Sequence, residues 1–153
     1  GLWMKGQKYY GSALEGGEET KELPIFTDTL KWLTAYFRGE NPRPLPPLRP
    51  KGSDFQRQVW DILMGIPYGS TVTYGNIAAQ IAEQRCIPRM AAQPVGGAVG
   101  HNPISILIPC HRVVGGSGSL TGYAGGIDKK VFLLKLEGVD TEKLTVPKRS
   151  TAP

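Results

Sequence analysis

The stretch Ile104-Ser105-Ile106-Leu107-Ile108-Pro109-Cys110-His111-Arg112-Val113-Val114 constrains this chain more than any other. Its near-continuous apolar start has no helical period. That predicts a strand over 104–108 buried on both faces, which Pro109 ends because proline has no N–H to donate. Cys110 is therefore expected where buried backbone emerges. A thiol is a strong nucleophile only as thiolate, and a neighbouring imidazole or helix N-terminus lowers its pKa from about 8.5. His111 is that neighbour in sequence. Adjacent side chains point in different directions, so a proton leaving Cys110 for His111 is expected to travel through a water. An isolated Cys-His pair is more often a structural thiol beside a surface imidazole, so the rest of the chain must decide.

With 153 residues the chain can form one compact domain or two small lobes sharing an interface, and two lobes are expected. Its net charge of +5 and pI near 9.3 suit a polyanionic partner without demanding one. Cys86 and Cys110 are the two cysteines, too few for a disulfide scaffold. No Cys/His cluster has zinc spacing, so a reducing compartment, no structural metal and no cofactor are expected. No apolar run approaches the roughly 20 residues of a membrane span and no signal peptide opens the chain. A soluble, cytoplasmic protein is expected, or one in the nucleoid or nucleus.

Residues 1–23 read as the remnant of a strand, around Leu2-Trp3-Met4, followed by a mobile loop with a charged stretch from Glu15 to Glu22. Thr27 or Asp28 can cap a helix in which Leu30, Leu33, Tyr36 and Phe37 recur at helical spacing, with Gly39 as its stop. This helix is read as packing only. Asn41–Pro50 holds five prolines in ten residues, which excludes helix and predicts a stiff extended connector at the lobe boundary. Ser53-Asp54-Phe55-Gln56 is a capping-box sequence opening a helix whose Phe55, Val59, Ile62 and Leu63 share one face and which Gly65 ends. After the turn at Pro67-Tyr68-Gly69, Thr73 caps a helix from Tyr74 to about Glu83, with Ile77, Ala78 and Ile81 inward.

A second short helix is expected to begin at Pro88 and run through Arg89, Met90, Ala91 and Ala92 towards Gly97. The pair reads as a helix-turn-helix, although two such helices are more often plain packing. Ala91, Ala92, Gly96, Gly97 and Ala98 leave one face flat enough to lie against a sugar-phosphate groove. Gly100-His101-Asn102-Pro103 then breaks the helix, and Asn102 can bond local backbone and hold the hinge before Cys110. Gly115–Gly126 is a loop with six glycines around one large side chain, Tyr123, which suits a lid that a flat base can enter, with a plain surface loop as the default alternative. A final helix spans Ile127–Leu136, with Ile127, Val131 and Leu134 inward and Gly138 as stop. Residues 139–153 are expected to be disordered. Glu137 sits in the last helical turn, where the macrodipole disfavours negative charge, so it needs a cationic or proton-donating partner. His111 is the candidate, giving a Glu137-His111-water-Cys110 relay. The bland alternative is an exposed Glu137 pairing with Lys135 or Lys143.

The string from Gly96 to Val113, with its Asn102-Pro103 break and Pro109-Cys110-His111-Arg112, resembles the active-site segment of the O6-alkylguanine-DNA alkyltransferases. The similarity extends from about Phe55 to Gly138, and more weakly back through the Trp32 helix to Gly1-Leu2-Trp3. Members of that family move an alkyl group from O6 of guanine in DNA onto their own cysteine, once per molecule. The resemblance implies an α+β fold: a small N-terminal α/β lobe, incomplete here, and a mainly helical C-terminal lobe with a winged-helix-like helix-turn-helix. The implied division is residues 1–50 for the lobe and linker, 51–138 for DNA binding and transfer, and 139–153 for the tail. Further strands are expected ahead of Gly1. The zinc ligands of some members are missing.

By the same resemblance, Cys110, His111, Glu137, Tyr74 and Asn102 carry the chemistry, with the Tyr74 hydroxyl donating to the departing base. Backbone groups at Cys110, Val113 and Ala124 read the base edge, and Tyr123 stacks on it. Gly100 and Ser105 are small where some members are bulkier, so adducts larger than methyl are expected substrates; the resemblance also implies O4-alkylthymine as a substrate. Thr73, Arg89, Ala91, Ala92, Gln93, Gly96, Gly97 and Arg112 are the expected DNA contacts. The implied partner is double-stranded DNA bearing O6-alkylguanine, entered through the minor groove by a monomer after the base is flipped out. Gln93 stands where many relatives carry an arginine that replaces the flipped base, and Pro94 is expected to kink the helix. Two other readings remain: a module that binds alkylated DNA without reacting, which would lack the cysteine, and a cysteine hydrolase, which would need an oxyanion site.

Overall fold

Helix α1, Pro24–Phe37, begins a residue after Leu23, with no side-chain cap and Pro24 in its first turn, earlier than Thr27 or Asp28 would allow. Proline starts a helix well because the amide it lacks would be unpaired there anyway. Gly39, at φ 84°, follows its end. Only part of the expected stripe is buried: Tyr36 is fully inside and Trp32 and Leu33 pack on the core, whereas Leu30 and Phe37 are 66% and 48% exposed. The computed structural model describes residues 1–12, 14, 16 and 21–146. Most of the Glu15–Glu22 loop and residues 147–153 therefore lie outside the described residues.

The connector after α1 is extended, as its prolines require. Helix α2, Asp54–Met64, opens with the full capping box: Ser53 Oγ accepts from the Gln56 amide and Gln56 Oε1 accepts from the Ser53 amide. Strand β1, Val72–Thr73, leads into α3, Tyr74–Gln84, capped reciprocally by Thr73 and Asn76. Helix α4, Ala92–Gly100, lies against α2 and α3, and the Trp60 indole donates to the Ala98 carbonyl at 2.9 Å.

The start of α4 corrects the expected one. Residues 88–91 are not helical, and Ala91 is extended at ψ 148°. A helix begun at Pro88 would drive the Pro94 ring into the Met90 carbonyl. Beginning at Ala92 instead puts Pro94 in the first turn, where no intrahelical donor is needed, and no kink arises.

Residues 105–108 are buried as expected and Ile104 partly so, but the segment is not a strand. Ile104 bridges only Leu2, Ser105 bridges Ile108, and Ile106 sits at φ 71°, closing a tight turn. A β-branched residue in that region costs about 1–2 kcal/mol. Local bonds replace a ladder: Leu107 N–H donates to Ser105 and Cys110 N–H to Ile108. Cys110–Arg112 forms a 3-10 turn, and β2, Val113–Val114, pairs parallel with β1 in the register Val72 to Val113. This pairing sets Tyr74, at the head of α3, beside the turn that carries Cys110.

Helix α5, Ile127–Leu136, ends at Glu137. One continuous core runs from Tyr36 through Val59, Trp60, Ile77, Val95 and Ile108 to Leu133. A second cluster, Val114, Leu120 and Leu134, recruits Val139 and Leu144. That packing overturns the expected disorder as far as Val146: Thr141–Lys143 is a 3-10 turn, and Thr145 bridges Ser119.

Candidate functional site

Cys110 opens its turn only 5% exposed. The Asn102 side-chain amide donates to its Sγ at 3.0 Å and to the Ile108 carbonyl at 2.8 Å, while Asn102 Oδ1 accepts from the Ile104 amide. One side chain thus ties the end of α4 to the irregular turn and to the sulfur. Burial pushes the thiol pKa up, and the Asn102 bond and the nearby Lys130 charge pull it back in part.

His111 is fully buried, and its Nε2 lies 2.7 Å from Glu137 Oε1, a carboxylate oxygen that can only accept, so Nε2 carries the proton. Burial pushes the imidazole pKa down, opposed by the Glu137 carboxylate. The resting pair is therefore a thiol beside a neutral imidazole. With Nε2 committed to Glu137, Nδ1 carries the lone pair, and among the described residues it has no protein partner. Glu137 itself is held by Tyr36, whose hydroxyl donates to Oε1 at 2.6 Å, by Arg112 at 2.8 Å and 3.0 Å, and by the Gly69 amide at 3.2 Å. Gly69 lies at φ 73°, and a β-carbon there would come within 2.9 Å of the Glu137 carbonyl. Burial alone would raise the Glu137 carboxyl, but the donors from His111 and Arg112 outweigh it and bring it down to about 2. The carboxylate is thus neither exposed nor paired with Lys135 or Lys143.

Two residues that the sequence reading passed over belong to this cluster. Tyr36 was read as packing only, because helical spacing registers its ring and not its hydroxyl. Lys130 is 0% exposed, and its ammonium donates to the carbonyls of Val113 at 2.5 Å and Thr121 at 3.2 Å. Burial lowers its pKa to about 8 against the opposing pull of Cys110. Its position three and four residues before Leu133 and Leu134 was the available signal, since those spacings share a face.

Beyond the thiol, the Tyr74 hydroxyl reaches the carbonyls of Thr121 and Gly122 at 3.3 Å and 3.4 Å. Gly122 sits at φ 78°, and a β-carbon there would lie 2.7 Å from that hydroxyl, so the loop approaches only as glycine. Burial holds the phenol above its ordinary value, which keeps it a donor. Tyr74, Ala92, Gln93, Gly96, Gly97, Thr121 and Gly122 line a cavity of about 270 Å³. Tyr123 is buried with its hydroxyl 3.6 Å from Met4 Sδ, and the Ala124 carbonyl accepts from the Lys8 amide.

The family described as "6-O-methylguanine DNA methyltransferase, DNA binding domain" matches residues 54–139. This chain belongs to the 6-O-methylguanine DNA methyltransferase family. The methylated-DNA–protein-cysteine methyltransferase of Methanosarcina acetivorans is 46% identical over 136 residues, which are 89% of this chain and 82% of that protein. Its counterpart from Mycobacterium tuberculosis is 51% identical over 118 residues, 77% of this chain and 68% of the relative. The crystal structure of Mycobacterium tuberculosis OGT in complex with DNA superposes with a TM-score of 0.68 at 45% identity, covering 86% of this chain and 78% of that one.

Within this methyltransferase-family fold the expected site residues separate into groups. Cys110, His111, Glu137 and Asn102 converge in one buried network. Tyr74, Ala92, Gln93, Gly96 and Gly97 line the neighbouring cavity, and Arg89 and Ala91 are exposed on the segment leading into α4. Thr73 spends its hydroxyl on the α3 cap. Arg112 corrects the expectation of a DNA contact: it is 7% exposed, and its guanidinium is bonded to Glu137 and to the Ile66 carbonyl. A buried carboxylate attracts the nearest guanidinium more strongly than a solvated phosphate would. Ser105 is buried with its hydroxyl on Gln7, and neither it nor Gly100 lines the cavity.

Proposed function

We propose that this protein repairs alkylated DNA by direct reversal, moving the alkyl group from O6 of guanine, or O4 of thymine, onto Cys110. The observation that carries the reading is the buried Asn102–Cys110 and His111–Glu137 pairing, with His111 Nδ1 left as a base. The Cys110 proton passes through a water to Nδ1. The sulfur lone pair then bonds to the alkyl carbon as the carbon–oxygen bond breaks, and its electrons go to the base. The Tyr74 hydroxyl donates to the departing base, consistent with a phenol that stays protonated. Glu137 fixes the tautomer and supports the imidazolium, as an orienting carboxylate does in acyl-transfer triads. The product is a thioether, and no group of the site is suited to cleave it, so each chain acts once.

A base inside a duplex is out of reach, so the nucleotide must be flipped at a cost of a few kcal/mol. The flat start of α4 supports entry from the minor groove: a β-carbon at Gly97 would meet nothing within 4 Å. Gln93 at the cavity mouth is the candidate filler of the gap, and the protein acts on duplex DNA as a monomer. Intact mass spectrometry after exposure to an O6-methylguanine duplex tests the reading. One added methyl per chain, located on Cys110, is expected. Cys110→Ala should abolish the mass shift while alkylated DNA still binds. Binding without any adduct on the parent protein would favour a non-reacting recognition module, and turnover would favour a hydrolase.

A further inference from the structure

We propose that Tyr36, on the N-terminal helix, is a positioning residue for alkyl transfer: by sharing Glu137 Oε1 with His111 it weakens the carboxylate's hold on an imidazolium and so helps the ring stay able to accept the Cys110 proton. The proposal rests on the alkyl-transfer reading above. Tyr36 is fully buried, its hydroxyl stands 2.6 Å from Glu137 Oε1 and 3.4 Å from His111 Nε2, and Oε1 also receives the Arg112 guanidinium at 3.0 Å. The ring is fixed by stacking on Trp32 at 5.4 Å and by an edge contact with Tyr68 at 6.1 Å. The hydroxyl therefore has one carboxylate oxygen to serve.

An oxygen already engaged by a phenol and a guanidinium is a weaker partner for an imidazolium, since each donor withdraws charge from it. Taking one donor away from that oxygen strengthens its hold on an imidazolium, and a protonated imidazole accepts nothing from a thiol. The charged and titratable groups facing His111 are Glu137 and Lys130 from the α5 segment, Arg112 and Cys110 beside it, and Tyr36 from α1. Tyr68, from the turn after α2, completes the surroundings of Glu137. Arg112 and Lys130 oppose protonation of His111 and Glu137 favours it. Tyr36 is the neutral member through which the carboxylate's pull can be adjusted without adding a charge.

Tyr36→Phe keeps the ring and removes the donor. The midpoint of His111 protonation, followed by NMR, should rise by about half a pH unit or more. The chain has only two histidines, and His101→Gln identifies the His111 signal. The acid limb of single-turnover methyl transfer should move upward with it. Tyr68→Phe, which removes a hydroxyl bonded to the Gly39 and Leu136 carbonyls and not to Glu137, is the control for lost packing and should leave the midpoint in place. A Tyr36→Phe midpoint that stays put or falls, with or without a drop in melting temperature, overturns the proposal. The parent protein gives a second test that needs no variant: the Tyr36 hydroxyl proton should exchange slowly, and its shift should follow the His111 titration. A shift flat through that titration overturns the proposal as well. Failure of the parent protein to take up any methyl group would remove the alkyl-transfer reading, while the NMR titration would still decide whether Tyr36 governs His111.

Discussion

At the scale of single residues, the site separates holding a proton from moving one. Cys110 is pushed towards the thiol and His111 towards the neutral ring by the same cause, exclusion of water, so ground-state thiolate is scarce. Proton transfer becomes favourable only when imidazolium can form against Glu137. Glu137→Gln removes that charge and should slow transfer at neutral pH by about a hundredfold to ten-thousandfold, the usual contribution of a general-base system. The residual rate should climb with pH towards the thiol's own ionisation, and a single-turnover pH profile unchanged from the parent would remove Glu137 from the relay. Cys110, His111, Asn102 and Glu137 were legible because each had a local cue: a dipeptide, a pre-proline break, a carboxylate at a helix end. Tyr36 and Lys130 were not, because their roles depend on where a hydroxyl and an ammonium terminate across the fold. Arg112 was misread for the same reason, since its partner lies 25 residues away.

Among the elements, α4 shows how one proline resets an interface. Its first turn presents Ala92, Gln93 and Pro94, and the cavity opens beside Gln93 and Gly96. Because Pro94 occupies a compatible position, Pro94→Ala should lower stability by no more than about 1 kcal/mol, through added freedom of the unfolded chain. A proline kinking mid-helix would give the opposite sign, with alanine stabilising by about 3 kcal/mol; urea unfolding distinguishes the two. Gln93 can fill the gap left by a flipped base and bond the orphaned partner, but it lacks the charge and stacking plane of guanidinium. Gln93→Arg should therefore raise the transfer rate on duplex DNA relative to single strands. It should also steepen the salt dependence of binding by about one unit of log–log slope, as one more cation meets phosphate. Equal duplex rates for the two proteins would mean that glutamine already performs the whole role. Helices α2, α3 and α5 were legible to within a residue or two because capping boxes and periodic apolar faces are local signals. The turn at 104–108 was not, because a run of Ile and Leu records burial but not whether a neighbouring strand exists to pair with it.

For the whole molecule, the Glu137 carboxylate is where α1, the turn after α2, the Cys110 turn and α5 meet, through Tyr36, Gly69, His111 and Arg112. Stability and chemistry therefore titrate together. Glu137 is depressed to about 2 from an ordinary 4.5, so the folded state releases its proton more readily than the unfolded chain does. A depressed carboxyl contributes stability that is complete above pH 4.5 and is lost as pH falls through about 2. His111 acts in the same direction from a higher starting point, because an imidazole kept neutral by burial binds its proton less readily folded than unfolded, below its ordinary 6.5. Denaturant unfolding measured from pH 7 downward should thus show stability beginning to decline below about pH 6.5 and falling more steeply below 4.5. The carboxylate step should amount to about 3 kcal/mol, the linkage value of a shift that size. Glu137→Gln should be less stable at pH 7, since it leaves Arg112 buried without its counter-charge. Its stability should change much less between pH 4.5 and 2. If that variant kept the parent's full acid slope, the proton uptake that opens the fold would belong to other carboxyls, and the junction at Glu137 would not govern acid unfolding.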